Sequence, residues 1–452
     1  MGPRDVTTPA PPPGATPGDG PLLLLNAAEV VTCAGPPRAR RGGEMAEAGV
    51  RTGAGVALMD GRVAAVGPDD ALRRQFPGAR AVDCGGGVIA PGFVDAHTHA
   101  YFGAPRVAEH ELRATGVPYL EIARRGGGIH SSVRDLRQRD PEDVVARTLA
   151  RLARLAAGGV TTVEIKSGYG LSLEDELRAL EGIAAVRARA PLHVVPTCLG
   201  AHEVPLELRD APGGRARWLR ILEAELYPAV AARGLADFVD VFCEPGVFTV
   251  EESRRLLQAG ARLGMRAKLH ADELHDGGGA ALAAEVGAVS ADHLAAIAPE
   301  GIRALAASET VATLLPATML FLGRRQAPAR ALLEAGCAVA LATDLNPGTS
   351  PLQSFPLLLT LAVSELRLSA AEAWVAATVN GAAAVGLAEQ TGQLTPGFRA
   401  DVAVHAIDDH RALPYWFGER LCSMAWAAGR PCHPWDGSVA SRPGTPCATG
   451  PA

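Results

Sequence analysis

A chain of 452 residues that is 48% hydrophobic and 20% charged is long enough for one large domain and a smaller companion. A formal net charge of −6 without any basic run or stripe argues against a nucleic-acid footprint. No apolar run approaches the roughly 18–20 residues that a bilayer span requires.

The 8 cysteines are scattered without a CxxC pair, and Cys198 and Cys243 sit inside apolar runs as small buried hydrophobes do. A reducing, cytoplasmic setting fits this usage better than a disulfide scaffold. The N-terminus lacks the basic start and apolar core of a signal peptide, so a soluble intracellular protein is expected.

Along the chain, residues 1–20 are rich in Pro and Gly and read as a disordered leader, as does the tail 434–452. Short apolar stretches at Leu22–Leu25, Val56–Met59 and Val63–Val66, broken by Gly and Pro, predict strands and turns. The same punctuation returns between Gly392 and His405, so a β-sandwich composed of residues 21–88 and 390–433 is expected. Between them, in 89–389, β-prone runs alternate with Ala/Leu/Arg/Glu-rich helical segments. The runs are Val88–Val94, Val160–Ile165, Val194–Pro196, Phe238–Phe242, Ala267–His270, Ala288–Ala291, Val311–Leu315 and Ala338–Ala342. This order predicts an α/β fold, a parallel (β/α)8 TIM-type barrel. An open doubly wound sheet is the competing architecture, but no Gly-x-Gly-x-x-Gly marks a strand-to-helix junction.

Polar residues gather at the C-terminal ends of these runs, the face on which such barrels carry their sites. In Pro91-Gly-Phe-Val-Asp-Ala-His-Thr-His99, two histidines stand two positions apart after an apolar strand. That spacing turns both imidazoles to one side of an extended chain. A chance surface pair is the bland reading, and the apolar strand before it speaks against that. A catalytic metal needs at least three protein ligands and an open position. His270, in Ala267-Lys-Leu-His-Ala-Asp-Glu273, and Asp344, in Leu341-Ala-Thr-Asp-Leu-Asn-Pro-Gly-Thr349, supply the remainder. Alone, His270 is as easily a satisfied core histidine. Three imidazoles and one carboxylate suit a single Zn²⁺ or Fe²⁺. His293 ends the sixth run and is read as a group polarising water or substrate, or as a further ligand. Glu244 ends the fourth, and the lack of a bridging lysine there favours one metal over two.

This constellation resembles the amidohydrolase superfamily. The segments Glu164-Ile-Lys-Ser-Gly-Tyr-Gly170, Pro196-Thr-Cys-Leu-Gly-Ala-His202, Asp240-Val-Phe-Cys-Glu244, His270-Ala-Asp-Glu-Leu274 and Ala342-Thr-Asp-Leu-Asn-Pro-Gly348 narrow the likeness to the imidazolonepropionase family. The resemblance spans roughly Leu22 to Arg430. It implies metal ligands His97, His99, His270 and Asp344. It implies substrate contacts from Arg106, Tyr119, Tyr169, His202, Glu273, Asn346, Gly348 and Thr349, with Glu273, His293 and Asp344 sharing the proton transfers. The implied reaction is attack of a metal-activated water on the ring amide of 4-imidazolone-5-propanoate, giving N-formimidoyl-L-glutamate in histidine degradation. Arg106 would pair a carboxylate or bond the polar ring edge, while Tyr169 and His202 would add donors. The Gly-rich His275–Gly279 segment, the Pro316–Leu320 run and Ala100-Tyr101 depart from the family's pattern without touching a metal ligand.

Two other readings compete. A related enzyme acting on a nucleobase would keep the metal site and change the pocket; a non-catalytic scaffold would have lost ligands that are all present here. A small-molecule substrate, no nucleic acid and no membrane are the expected partners, and a homodimer is the expected assembly.

Overall fold

The computed structural model describes residues 20–117, 121 and 127–433. Residues 1–19 of the expected leader, Tyr119 and the tail 434–452 lie outside the described residues.

Eight parallel strands form one sheet: β1 (Phe93–Asp95), β2 (Val160–Lys166), β3 (His193–Ala201), β4 (Phe238–Cys243), β5 (Arg266–Ala271), β6 (Ser290–His293), β7 (Val311–Leu314) and β8 (Val339–Leu341). Each pairs in parallel with the next. The segments just beyond β1 and β8 close the ring, the Asp344 N–H donating to the His97 carbonyl at 3.0 Å and the His99 N–H to the Leu345 carbonyl at 2.9 Å. The outer layer is helical, and its helices start where the sequence supplies caps: at α1 (Pro141–Ala156) the Asp140 side chain accepts the Glu142 N–H. The helix α2 (Leu173–Arg189) begins at Ser172, whose hydroxyl accepts the Asp175 N–H. Thr249 and Glu252 form a capping box at the helix Val250–Arg262. Apolar helix faces and the outward-facing strand residues make one continuous core that includes Leu180, Ile183, Val239, Val241, Leu269 and Leu341.

The inward-facing positions are a different population. Alternation along the strands turns Glu164, Lys166, Asp240, Lys268, His270, Ser290 and Asp292 to the barrel interior, all of them buried. This barrel is filled by charge and hydrogen bonds where a Val/Ile/Leu filling is usual.

Two further sheets draw on both ends of the chain. One has four strands, in the order Arg62–Gly67, Gly55–Met59, Leu22–Leu25 and Arg80–Asp83. The other has six, in the order Arg430–His433, Cys422–Ala427, Val402–His405, Val88–Pro91, Glu29–Val31 and Val50–Thr52. They share a core of Leu24, Val30, Val56, Ile89, Val402 and Trp426. The apolar run Val88–Val94, expected as one barrel strand, is therefore divided. Val88–Pro91 pairs with Val402–His405, and only Phe93–Asp95 enters the barrel. Gly92 is the joint: a Cβ there would lie 2.2 Å from Thr161 Cγ2, so only glycine lets the chain pass that close to β2. Among the described residues, no helix is long and apolar enough to cross a membrane.

Candidate active site

Three imidazoles meet at the C-terminal mouth of the barrel. One ring nitrogen from each of His97, His99 and His270 lies within 4.8 Å of the other two. Nε2 of His270 is 3.3 Å from Nε2 of His99, and Asp344 Oδ1 stands 3.6 Å from Nε2 of both His97 and His99. The structure thus brings together all four residues expected to hold a metal. Burial holds the pKa of His97 and His99 well below the ordinary imidazole value, so both rings are neutral and present lone pairs. His97 Nε2 is buried and has no hydrogen-bond partner among the described residues. A buried orphan nitrogen facing two more imidazoles and a carboxylate is the donor set of a divalent cation.

These side chains are aimed from behind. His97 Nδ1 donates to Asp292 Oδ2 at 2.6 Å, which turns Nε2 toward the centre. His270 Nδ1 lies 3.0 Å from Asp240 Oδ2 and its backbone N–H donates to Asp240 Oδ1, while Asp344 Oδ2 accepts the Thr318 hydroxyl at 2.7 Å. Thr318 belongs to α3 (Pro316–Leu322).

Under the histidines lies an ionic floor. Lys166 Nζ is 2.7 Å from Glu164 Oε1, 2.8 Å from Asp240 Oδ2 and 3.8 Å from Asp292 Oδ2. Burial pulls the Lys166 ammonium down, but the carboxylates of Asp240, Glu164 and Asp292 outweigh it and hold its pKa above the ordinary lysine value. Asp240 is held well below the usual carboxylate range: burial raises it, and the charges of His270 and Lys166 overcome that. Lys268 donates to the carbonyls of Ala96 and Ala384 at 3.2 and 2.9 Å, tying β5 to the loop after β1.

Glu273 and His293 face each other, Glu273 Oε2 lying 3.7 Å from His293 Nε2. Burial first, then the charges of Asp344 and Glu244, pushes Glu273 up to about 8, so it carries a proton at neutral pH. Burial also pushes Asp344 up to about 6, against the hydrogen bond from Thr318. Asp272, His293 and Asp344 all adopt left-handed backbone, with φ of 48°, 82° and 52°. Such conformations cost a non-glycine residue and gather where function over-determines the backbone.

The remaining expected residues are placed as follows. His202 stacks on His99 with centroids 5.0 Å apart, and buried Tyr169 lies 5.5 Å from His202. His202 Nδ1 donates to the Gly168 carbonyl at 3.0 Å, so the neutral ring offers the pocket an acceptor where a donor was expected. Arg106 is delivered by the loop after β1 and packs on Gly348, at which a Cβ would fall 1.4 Å from Arg106 Nη2. Asn346 spends its amide on its own loop: Oδ1 accepts the N–H groups of Gly348 and Thr349, and Nδ2 donates to the Asp344 carbonyl. Thr349 Oγ1 accepts from the same amide at 3.0 Å. Glu244 faces away from a metal role, accepting from His275 Nδ1 at 2.8 Å and from the Leu274 N–H. Sequence reasoning passed over Asp240, Asp292, Lys166 and Thr318. The signal for the first three was a charged residue inside an otherwise apolar strand, while Thr318, on a helix, gave none.

A (β/α)8 barrel with three imidazoles and a carboxylate at its mouth is the arrangement of a metal-dependent amidohydrolase. Residues 104–433 match the amidohydrolase family, and residues 54–79 match the imidazolonepropionase-like composite domain of bacteria. Imidazolonepropionase of Symbiobacterium thermophilum is 48% identical over 414 residues, covering 90% of this chain and 96% of the relative. That of Solibacter usitatus is 44% identical, covering 90% of this chain and 97% of its own. Among solved structures, a zinc-bound adenosine deaminase from Xanthomonas campestris shares the fold, with TM-score 0.68, 22% identity, and coverage of 91% and 92% of the two chains. Guanine deaminase of E. coli does so with TM-score 0.68 at 16% identity, covering 92% and 99%. The chain belongs to the imidazolonepropionase family of amidohydrolases.

Proposed function

We propose that this chain hydrolyses 4-imidazolone-5-propanoate to N-formimidoyl-L-glutamate in the cytoplasm, as a step of histidine degradation. The observation that carries the reading is the convergence of His97, His99, His270 and Asp344 beside Glu273, His293 and Arg106, in a chain whose relatives at 41–48% identity bear the name imidazolonepropionase. Deaminases share only the fold, at 16–22% identity, and do not compete on this ground. The composite unit of residues 21–88 and 390–433, framing a barrel of 89–389, belongs to the same proposal.

His97, His99, His270 and Asp344 would hold one divalent cation, zinc or iron, and when bound it supplies the Lewis acidity that makes water nucleophilic near neutral pH. Everything else falls to the chain. Asp292 and Asp240 orient two of the imidazoles. Arg106 binds the propanoate carboxylate or the polar ring edge. His202 and Tyr169, packed beside His99, confine the ring. Water adds to the ring amide carbonyl, the C–N bond breaks, and the departing nitrogen takes up a proton. Burial raises the pKa of Glu273, which stands 3.7 Å from His293, so it is placed to donate that proton. Asp344, close to the incoming water, is placed to accept one.

The test uses purified wild type and Asp344→Asn, with bound metal measured alongside the fall of substrate absorbance in the ultraviolet. Metal and turnover in wild type, with both lost in the variant, support the reading. Metal without turnover of this compound overturns the substrate; no metal after supplementation overturns the chemistry.

A further inference from the structure

The loop that follows β2, Ser167–Leu171, carries Tyr169 and offers the Gly168 carbonyl to His202, yet it contains no regular structure of its own. What holds it is a carboxylate from the helix behind. Glu176, in the first turns of α2, is fully buried. Its Oε1 accepts the N–H groups of Gly170 at 2.7 Å and Leu171 at 2.9 Å, and its Oε2 accepts that of Gly168 at 3.1 Å. The Ser167 hydroxyl, at the start of the same loop, accepts the Leu199 N–H of β3 at 3.0 Å. A chain that turns its N–H groups onto one anion is a nest, and the N-terminal end of α2 adds its own dipole.

The loop's backbone is shaped to fit. Gly168 has φ +109°, and a Cβ there would meet His202 Nδ1 and the Leu199 carbonyl at 2.9 Å. Gly170 lies so close to α2 that a Cβ would fall 2.5 Å from the Glu176 backbone nitrogen. Leu171 is left-handed at φ 49°. None of these bonds reaches the metal ligands.

We propose that Glu176 is a positioning residue for substrate: by gathering the Ser167–Leu171 amides it sets the places of Tyr169 and His202, and through the Gly168 carbonyl it fixes His202 as a hydrogen-bond acceptor. The consequence for specificity is that this side of the pocket selects a ring that presents N–H. The assignment rests on the substrate reading above.

Glu176→Gln tests it. A glutamine keeps the shape, but its amide group would set a donor against a backbone donor, so at least one link to the loop fails. The KM for 4-imidazolone-5-propanoate is expected to rise roughly ten-fold or more, the scale of one lost bond to a charged group. Turnover at saturation and bound metal should stay near wild type. Amide exchange at Gly168, Gly170 and Leu171 should accelerate while exchange at β5 and β6 is unchanged. If Glu176→Gln lowers thermal stability but leaves KM and loop exchange as they were, Glu176 only builds the fold and the proposal falls. Should that variant not fold, Glu176→Asp, which keeps the charge but draws the carboxylate back from the Gly168, Gly170 and Leu171 amides, is expected to shift KM and loop exchange the same way by a smaller factor. No shift there overturns the proposal equally. A wild type inactive on this compound would sink the substrate reading alone, because loop exchange still reports on Glu176.

Discussion

Asp292 Oδ2 is 2.6 Å from His97 Nδ1, and the same oxygen is 3.8 Å from Lys166 Nζ. One side chain thus joins the metal-facing layer of the barrel to the charged layer beneath it. Asp292→Asn keeps an acceptor for the His97 ring and removes the charge that makes its Nε2 a better ligand. Metal affinity should fall by about 10–100-fold. Chelator competition on the purified variant measures this, and an unchanged affinity would show that the carboxylate does not tune the ligand.

Lys166 answers three carboxylates, those of Glu164, Asp240 and Asp292. Its replacement by methionine fits the space, takes the ammonium from Asp240, and leaves Glu164 and Asp292 only Lys268, at 3.7 and 3.8 Å. Breaking a buried pair from one side costs about 3–5 kcal/mol. Lys166→Met should therefore lower the denaturant midpoint of metal-free protein strongly. A midpoint within error of wild type would mean the floor is solvated or protonated, and that the ion pairs carry little.

That floor also shows where the sequence stops being legible. The barrel could be read because eight β-prone runs alternate with helical segments, and the candidate site because His97, His99, His270 and Asp344 end such runs. Glu164, Lys166, Asp240 and Asp292 were in plain view inside the same runs, but a charge within an apolar strand has no partner until the ring closes. Glu164 stands two positions before Lys166 on β2 itself, but Asp240 of β4 and Asp292 of β6 are far off in the chain, and only closure brings them within 4 Å of Lys166. The division at Gly92 was hidden for another reason. Val88–Val94 is apolar throughout, because its first half is buried by the outer sheet and its second by the barrel. Periodicity alone cannot register that change of partner.

His405 lies at the opposite end of the barrel from the site, among Phe93 and Trp374 at centroid distances of 5.6 and 5.5 Å. Neither ring nitrogen has a partner among the described residues, and burial pushes its pKa from 6.5 down to about 3. Between those values the unfolded chain binds a proton that the folded ring refuses. Stability is then whole above 6.5 and is lost as pH falls from there toward about 3. The loss from this residue is on the order of 2 kcal/mol by about pH 5. His405→Leu should flatten the acid limb of the stability profile by that amount and leave neutral stability equal or higher. Parallel acid limbs for variant and wild type would refute the assignment.

Gly348 is the place where shape and charge meet. A Cβ there would lie 1.4 Å from Arg106 Nη2 and 2.0 Å from Cζ, the far end of a flexible side chain. The Arg106 backbone is tied by its N–H to the Pro347 carbonyl at 3.0 Å, so Gly348→Ala can be relieved only by swinging the guanidinium aside. If that guanidinium binds the substrate, its displacement forfeits a charge-assisted hydrogen bond and raises KM by roughly ten-fold or more. Bound metal and the thermal midpoint should not move, since no ligand and no core side chain is disturbed. Arg106→Lys, which keeps the charge but loses the fork, should weaken binding in the same direction. A Gly348→Ala enzyme with the wild-type KM would mean that Arg106 does not touch the substrate, and the carboxylate of the propanoate tail would then need another partner.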